Sequence, residues 1–163
     1  MIRVVVGELA RESVDAVVRP ADAGLAPIGA AAARLDELGG PRFAEQRRTA
    51  TPLEAGAAVV TGGGELVAGF ALHVVVSDER GPAGREQIRR ALVSAWQRAG
   101  DWGLSRIATP LVGVQDGPLT LAEAAGLLAE TFPDDGEAGR ELVIVVEATE
   151  RDAVEAIVRR TRA

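Results

Sequence analysis

Three side chains stand where they could do chemistry. Arg19 and Asp22 flank Pro20-Ala21 directly after the apolar run Val14-Asp15-Ala16-Val17-Val18. An arginine there can hold a phosphate through two parallel N–H donors, or it can pair with Asp22 or Asp15 and fill a pocket with its own side chain. A carboxylate at position 22 can activate a water against an ester, or it can close a turn after Pro20. His73 is the only histidine. As a general base or metal ligand it would act alone, since no second His and no Cys exists to complete a transition-metal site. Inside the apolar run Phe70–Val76 it reads as a buried structural residue. No metal and no cofactor is expected.

The missing residue types narrow the chemistry further. The chain contains no Cys, Lys, Tyr or Asn, and all 18 of its basic residues are arginine. Disulfides, thiolate nucleophiles, Schiff bases and a phosphate-loop lysine are therefore excluded. With 24 acidic residues the net charge is −6, which argues against non-specific binding to a nucleic-acid backbone, because that needs clustered cations. The longest nearly apolar run, Val67–Val76, is about half the roughly 20 residues a bilayer span requires. The opening Met-Ile-Arg-Val-Val-Val-Gly reads as a strand and not as a signal peptide. A cytoplasmic protein with no membrane partner is expected.

These candidates need a scaffold. With 163 residues, 47% of them hydrophobic, the chain is expected to form one domain over 1–163. β-Branched or apolar runs at Ile2–Val6, Ser13–Val18 (stopped at Pro20), Ala57–Thr61, Phe70–Val76, Ser105–Thr109 and Leu142–Val146 predict strands. Helices are predicted at Gly29–Leu38, ended by Gly39-Gly40-Pro41, then for a turn or two at Phe43–Arg48. Further helices are predicted at Arg85–Gly100, Leu119–Phe132 and Arg151–Arg160, the last capped by Thr149. Trp96 falls on the apolar face of the longest helix and is expected in the core, with Trp102 as a lid over that core. Asp134-Asp135 reads as a solvated turn. Alternating apolar strands and helices indicate an α/β protein: a three-layer α/β/α sandwich around a mixed sheet of about six strands. Ligands of such sheets sit at the carboxyl ends of strands, which directs attention to the loops after Val6, Val18, Thr109 and Val146.

Taken in order, these segments resemble the macro domain family, whose founding ligand is ADP-ribose. Val6-Gly7-Glu8-Leu9 is similar to the family's strand followed by Gly-Asp-Ile. Val14–Val18 resembles Val-Asp-Ala-Ile-Val, and Leu38–Pro41 its helix-ending Gly-Pro. Gly56–Thr61, Leu72-His73-Val74-Val75 and Gly103–Pro110 follow three more family segments in order. The resemblance spans about Ile2 to Arg160 and implies the sandwich fold.

It implies a ligand site as well. Glu8 would accept from the adenine amino group and Leu9 would offer its backbone N–H. Arg19 and Asp22 fall where the family carries the two asparagines of Asn-Ala-Ala-Asn, the second of which holds the distal ribose and helps place an attacking water. Gly29, Ala30 and Ala31 replace a glycine-rich turn whose backbone N–H groups meet phosphate. Gly113-Val114-Gln115-Asp116-Gly117 replaces Ser-Thr-Gly-(Ile/Val)-aromatic-Gly, or, in a shifted pairing, Val112-Gly113-Val114 takes the place of Thr-Gly-Val. After Val146, where the family often stacks an aromatic on adenine, Glu147-Ala148-Thr149 offers none.

The resemblance therefore implies a divergent member whose partner is ADP-ribose, a related nucleotide metabolite or an ADP-ribosylated protein. Loss of the asparagines and of the loop hydroxyl points to weak, non-catalytic binding. Two alternatives stand beside it: hydrolysis of an ADP-ribosyl or O-acetyl-ADP-ribose bond through a water placed by Asp22, and an interaction protein whose pocket is filled by Ile28, Arg19 and Gln115.

Overall fold

The apolar runs form strands because only a sheet covered on both faces can bury them. The computed structural model describes residues 1–136 and 139–163. Its strands are β1 (Ile2–Val6), β2 (Ala16–Asp22), β3 (Ala58–Gly62), β4 (Phe70–Asp78), β5 (Gly81–Pro82), β6 (Arg106–Thr109) and β7 (Glu141–Val146). The sheet order is β1-β7-β6-β2-β4-β3, with β5 hydrogen-bonded to β4. β1, β7, β6, β2 and β4 run parallel, while β3 and β5 are antiparallel to β4.

Side-chain alternation divides the core between two faces. On one face Val17, Ala71, Ala108 and Val143 meet Leu35 and Phe43 of α1 (Ala30–Gln46). On the other, Val18, Leu72, Ile107 and Ile144 meet α2 (Arg85–Asp101), α3 (Leu121–Thr131) and α4 (Arg151–Arg162). The expected sandwich is thus present, with one helix on one face and three on the other. Trp96 is buried, donates Nε1–H to Thr131 Oγ1 at 2.9 Å and meets the Phe132 ring edge-on. No helix among the described residues is long and apolar enough to cross a membrane.

Several boundaries differ from expectation. β2 does not stop at Pro20 but continues to Asp22. Its pairing with β6 ends at Val17, and the Pro20 carbonyl accepts from the Ile28 N–H at 3.0 Å instead of from a strand. The missing proline N–H therefore falls where the ladder is already open. The break expected at Gly39-Gly40-Pro41 is present: α1 is interrupted at Gly40, whose φ of 74° only glycine adopts freely, and restarts at Pro41, a residue suited to a first helical position. Thr149 does not cap α4: the N-cap residue is Glu150, whose carboxylate accepts from the Glu147 N–H at 3.0 Å. The capping box belongs to α3, where Thr120 and Glu123 satisfy each other's backbone N–H. Trp102 does not cover the core; it is 58% exposed and leans on Phe70.

Between the sheet and α1 lies a buried polar cluster. Arg19 is fully buried and donates from Nε and Nη2 to the two carboxylate oxygens of Asp36 at 2.8 and 2.9 Å. Its Nη1 donates to His73 Nδ1 at 3.2 Å. Since a guanidinium only donates, Nδ1 carries the lone pair and Nε2–H donates to Thr61 Oγ1 at 2.7 Å. The Thr61 hydroxyl passes its own proton to the Gly62 carbonyl. Phe43 stacks on the His73 ring, and Arg47 lies over the Phe43 ring with its Nη2 at 3.5 Å from Asp36. His73 is held neutral, its pKa pushed down to about 3 by burial first and by the neighbouring charges of Arg19 and Arg47 second. His73 is thus structural, as its apolar surroundings imply.

Two outcomes are expected from this cluster. Asp36→Ala leaves a buried guanidinium without its carboxylate and should lower the unfolding free energy by about 3–5 kcal/mol, read from the shift of the urea midpoint. Glu37→Ala, on the 65% exposed neighbour, should leave that midpoint almost unchanged. The His73 imidazole is neutral when folded but titrates near 6.5 when unfolded, so the unfolded chain binds more protons between those values. Stability should therefore fall as pH drops below about 6.5, with a slope of up to about 1.4 kcal/mol per pH unit. His73→Gln should flatten the dependence between about pH 5 and 6.5.

Candidate functional site

Four parallel strands end on the same side of the sheet, and a cleft of about 490 Å3 opens over their carboxyl ends. Its walls come from Gly7–Ala10 after β1, from Pro20 and Ile28–Ala31 after β2, from Pro110, Leu111 and Gly113–Gln115 after β6, and from Val145–Glu147 with Glu150 after β7. These are the four loops that strand order and polarity single out. The volume suits a small-molecule ligand.

One end of the cleft is built to meet an anion. α1 begins at Ala30 behind Gly29, whose φ is 90°, so the first backbone N–H groups of α1 face the opening. Gly113, with φ of 93°, brings the loop after β6 against the same wall. A Cβ on Gly113 would meet Leu119 Cδ1 at 2.7 Å, so glycine is required here for packing as well as for backbone conformation. From this loop the Gln115 amide crosses the cleft, and its Oε1 accepts from the Ala30 N–H at 2.6 Å. The same oxygen lies 2.8 Å from where a Cβ of residue 29 would stand. Gln115 therefore caps α1 with a neutral acceptor.

The other end carries charge of both signs. Glu8 accepts at Oε1 from Arg34 Nε at 2.7 Å, and its Oε2 pairs with Arg11 Nε at 2.9 Å. The Arg34 hydrogen bond holds the Glu8 carboxyl below its usual range, against the small opposing effect of desolvation. Arg34 also donates from Nη1 to Glu37 Oε2 at 2.8 Å. Glu147 and Glu150 complete this acidic rim.

The structure thus brings Glu8, Leu9, Gly29, Ala30, Ala31, Gly113, Val114 and Gln115 to one cleft. Three expected ligand contacts are corrected. Arg19 does not reach the cleft, because continuation of β2 turns its side chain to the α1 face and onto Asp36; neither Asp22 nor Asp15 is its partner. Asp15 instead accepts from the Ser105 and Arg106 N–H groups, and the Arg106 contact leads in lowering its pKa. Asp22 is a turn residue whose Oδ1 accepts from the Gly24 and Ala26 N–H groups, both at 2.9 Å. It does not border the cleft and holds no water-activating position there. Val112 is buried in the core beneath the loop.

Arg34, Glu147 and Glu150 are cleft residues that reading the sequence did not single out. Arg34 had a detectable signal. It follows Ala30 by four residues and so shares its face of α1, and it is the only charged side chain in the alanine-rich first turns.

The Macro domain family profile matches residues 18–128. An uncharacterized protein of Aeropyrum pernix is 32% identical over 132 residues, which is 77% of this chain and 67% of that protein. An uncharacterized Mycobacterium tuberculosis protein is 26% identical over 74% of this chain, which spans about a third of it, 34%. Among solved structures, an Oceanobacillus iheyensis macrodomain with ADP superposes with a TM-score of 0.78 at 19% identity, covering 96% of this chain and 89% of the other. A Trypanosoma brucei macrodomain in complex with ADP gives 0.82 at 22% identity, covering 96% and 68%. With a cleft of this kind at the carboxyl ends of a β1-β7-β6-β2-β4-β3 sheet and a family match across most of its length, the chain belongs to the macro domain family.

Proposed function

We propose that the cleft binds ADP-ribose or a related nucleoside diphosphate without hydrolysing it. The observation that carries this reading is the open cleft whose anion end is formed by the N–H groups of the first turn of α1. A diphosphate fits that end, because helix N-terminal amides and the positive end of the helix dipole favour negative charge. The glycine-flanked loop after β6 lies close enough to share the load. The ADP carried by the two solved macrodomains supports the choice of ligand class.

The position of Asp22 supports absence of turnover. It is the one carboxylate that the family resemblance nominates to place a water, yet it does not border the cleft and its Oδ1 is committed to a turn. The acidic rim of Glu8, Glu147 and Glu150 opposes an anion, while Arg34 offsets part of that charge. Weak binding is the expected balance.

Gln115 favours a second reading, in which the cleft has given up its ligand and satisfies itself. One titration separates the two. ADP-ribose is expected to bind the purified protein with a dissociation constant in the micromolar range, near −8 kcal/mol at 1 μM. Gln115→Ala should tighten binding by about fivefold, the equivalent of the roughly 1 kcal/mol hydrogen bond no longer displaced. No heat with either protein, both shown folded, would establish the self-satisfied cleft. Release of acetate and ADP-ribose during prolonged incubation with O-acetyl-ADP-ribose would overturn the non-hydrolytic part.

A further inference from the structure

We infer that the guanidinium of Arg34 is the platform on which the cleft holds a nucleobase, and that the site consequently accepts adenine and guanine alike. This rests on the nucleoside diphosphate reading above and adds to it the means by which the base is held.

A base needs a flat surface to lie on, and the chain has few. It contains three Phe, two Trp, one His and no Tyr. Phe43, Phe132, Trp96 and His73 are buried. Phe70 and Trp102 pack on each other beside a separate recess bounded by Val60 and Gly62. Among the described residues no aromatic ring borders the cleft.

Arg34 does border it, with its side chain 42% exposed. Its plane is fixed from two sides, by Glu8 Oε1 on Nε at 2.7 Å and by Glu37 Oε2 on Nη1 at 2.8 Å. A planar guanidinium held in this way offers a stacking face whose ordering cost is already met. Stacking of this sort tolerates any base, because every base has a π face.

Selectivity would have to come from an edge contact, and the acceptor on the loop after β1, Glu8, is already engaged by two cations. Both carboxylate oxygens of Glu8 already face guanidinium groups, Oε1 that of Arg34 and Oε2 that of Arg11. An amino group of adenine would have to compete with two cations for them. The charge-assisted bonds already in place are the stronger ones. The base is therefore gripped by its face and left unread at its edge.

The test compares ADP, GDP and 1,N6-etheno-ADP, in which the adenine amino group is blocked, together with inorganic pyrophosphate. Each is titrated into the wild type, Arg34→Lys and Arg34→Ala, with folding checked by circular dichroism. The three nucleotides should bind the wild type within about threefold of one another, since only the face is used. Arg34→Lys keeps the charge and loses the plane, so it should weaken all three by about tenfold while leaving pyrophosphate binding unchanged.

ADP bound more than about tenfold tighter than both GDP and the etheno analogue would mean that Glu8 reads the amino group, and would overturn the inference. Equal nucleotide binding by Arg34→Lys and wild type would overturn the platform, leaving Arg34 as a charge only. Binding of pyrophosphate as tight as that of the nucleotides would preserve the diphosphate site and remove the base contact. Failure of all four ligands to bind folded wild-type protein would overturn the diphosphate reading and this inference with it.

Discussion

A guanidinium buried at the centre of the sheet is the constraint around which this molecule is arranged. Arg19 lies on β2, covered on one side by the sheet and on the other by α1. A charge removed from water must be paired, and among the described residues the carboxylate bonded to it is that of Asp36, two turns into α1. The fork of two parallel N–H···O bonds sets the rotation of α1 about its axis as well as its distance from β2. Once Asp36 faces the sheet, Leu35 and Ala32 complete the inward face and Arg34 is turned outward. The first turn of the same helix then presents its N–H groups over the end of β2. The binding cleft is in this sense a consequence of a salt bridge that does not touch it.

How far the sequence reveals this depends on what kind of signal each element carries. The apolar runs of β1, β4 and β7 and the long face of α2 are legible because period and length both speak for them. The same patterns give the sandwich and the loops that form the cleft. The end of β2 is the informative failure. A proline inside a run reads as a stop, but here the neighbouring strand has already left, so nothing in the ladder needs the missing N–H. With β2 ended at Val18, Arg19 becomes a loop residue free to reach a ligand. With β2 extended to Asp22, strict alternation places Arg19 beside Val17 on the α1 face. One boundary therefore decides whether Arg19 is a ligand contact or a buried structural residue. Of the two roles open to Asp22 after Pro20, the structure shows the turn: its Oδ1 is claimed by the Gly24 and Ala26 N–H groups.

The cleft residues that were legible are those placed by backbone, such as Gly29 and Gly113, where a positive φ makes glycine necessary. The residues that were not legible are those placed by side-chain pairing across the fold. Arg34 and Glu8 are 26 positions apart, and Gln115 reaches Ala30 across 85. Local periodicity contains no term for such contacts.

Gln115 also bears on why an acidic chain can keep an anion site. The exposed N–H of Ala30 and the positive end of α1 need an acceptor whether or not a ligand is present. A glutamine oxygen supplies one with no net charge, so the empty cleft is satisfied without adding to a rim that already carries Glu8, Glu147 and Glu150. A phosphate offers the same N–H a charge-assisted bond, roughly twice as strong as a neutral one. It also interacts with the whole helix end, which a single amide dipole does less well. Exchange of glutamine for phosphate is therefore favourable at the α1 end and unfavourable at the acidic rim, where Arg34 is the one cation bordering the cleft among the described residues. On the proposed reading, affinity is set by the difference between those two local fields, and the overall charge of −6 says little about either.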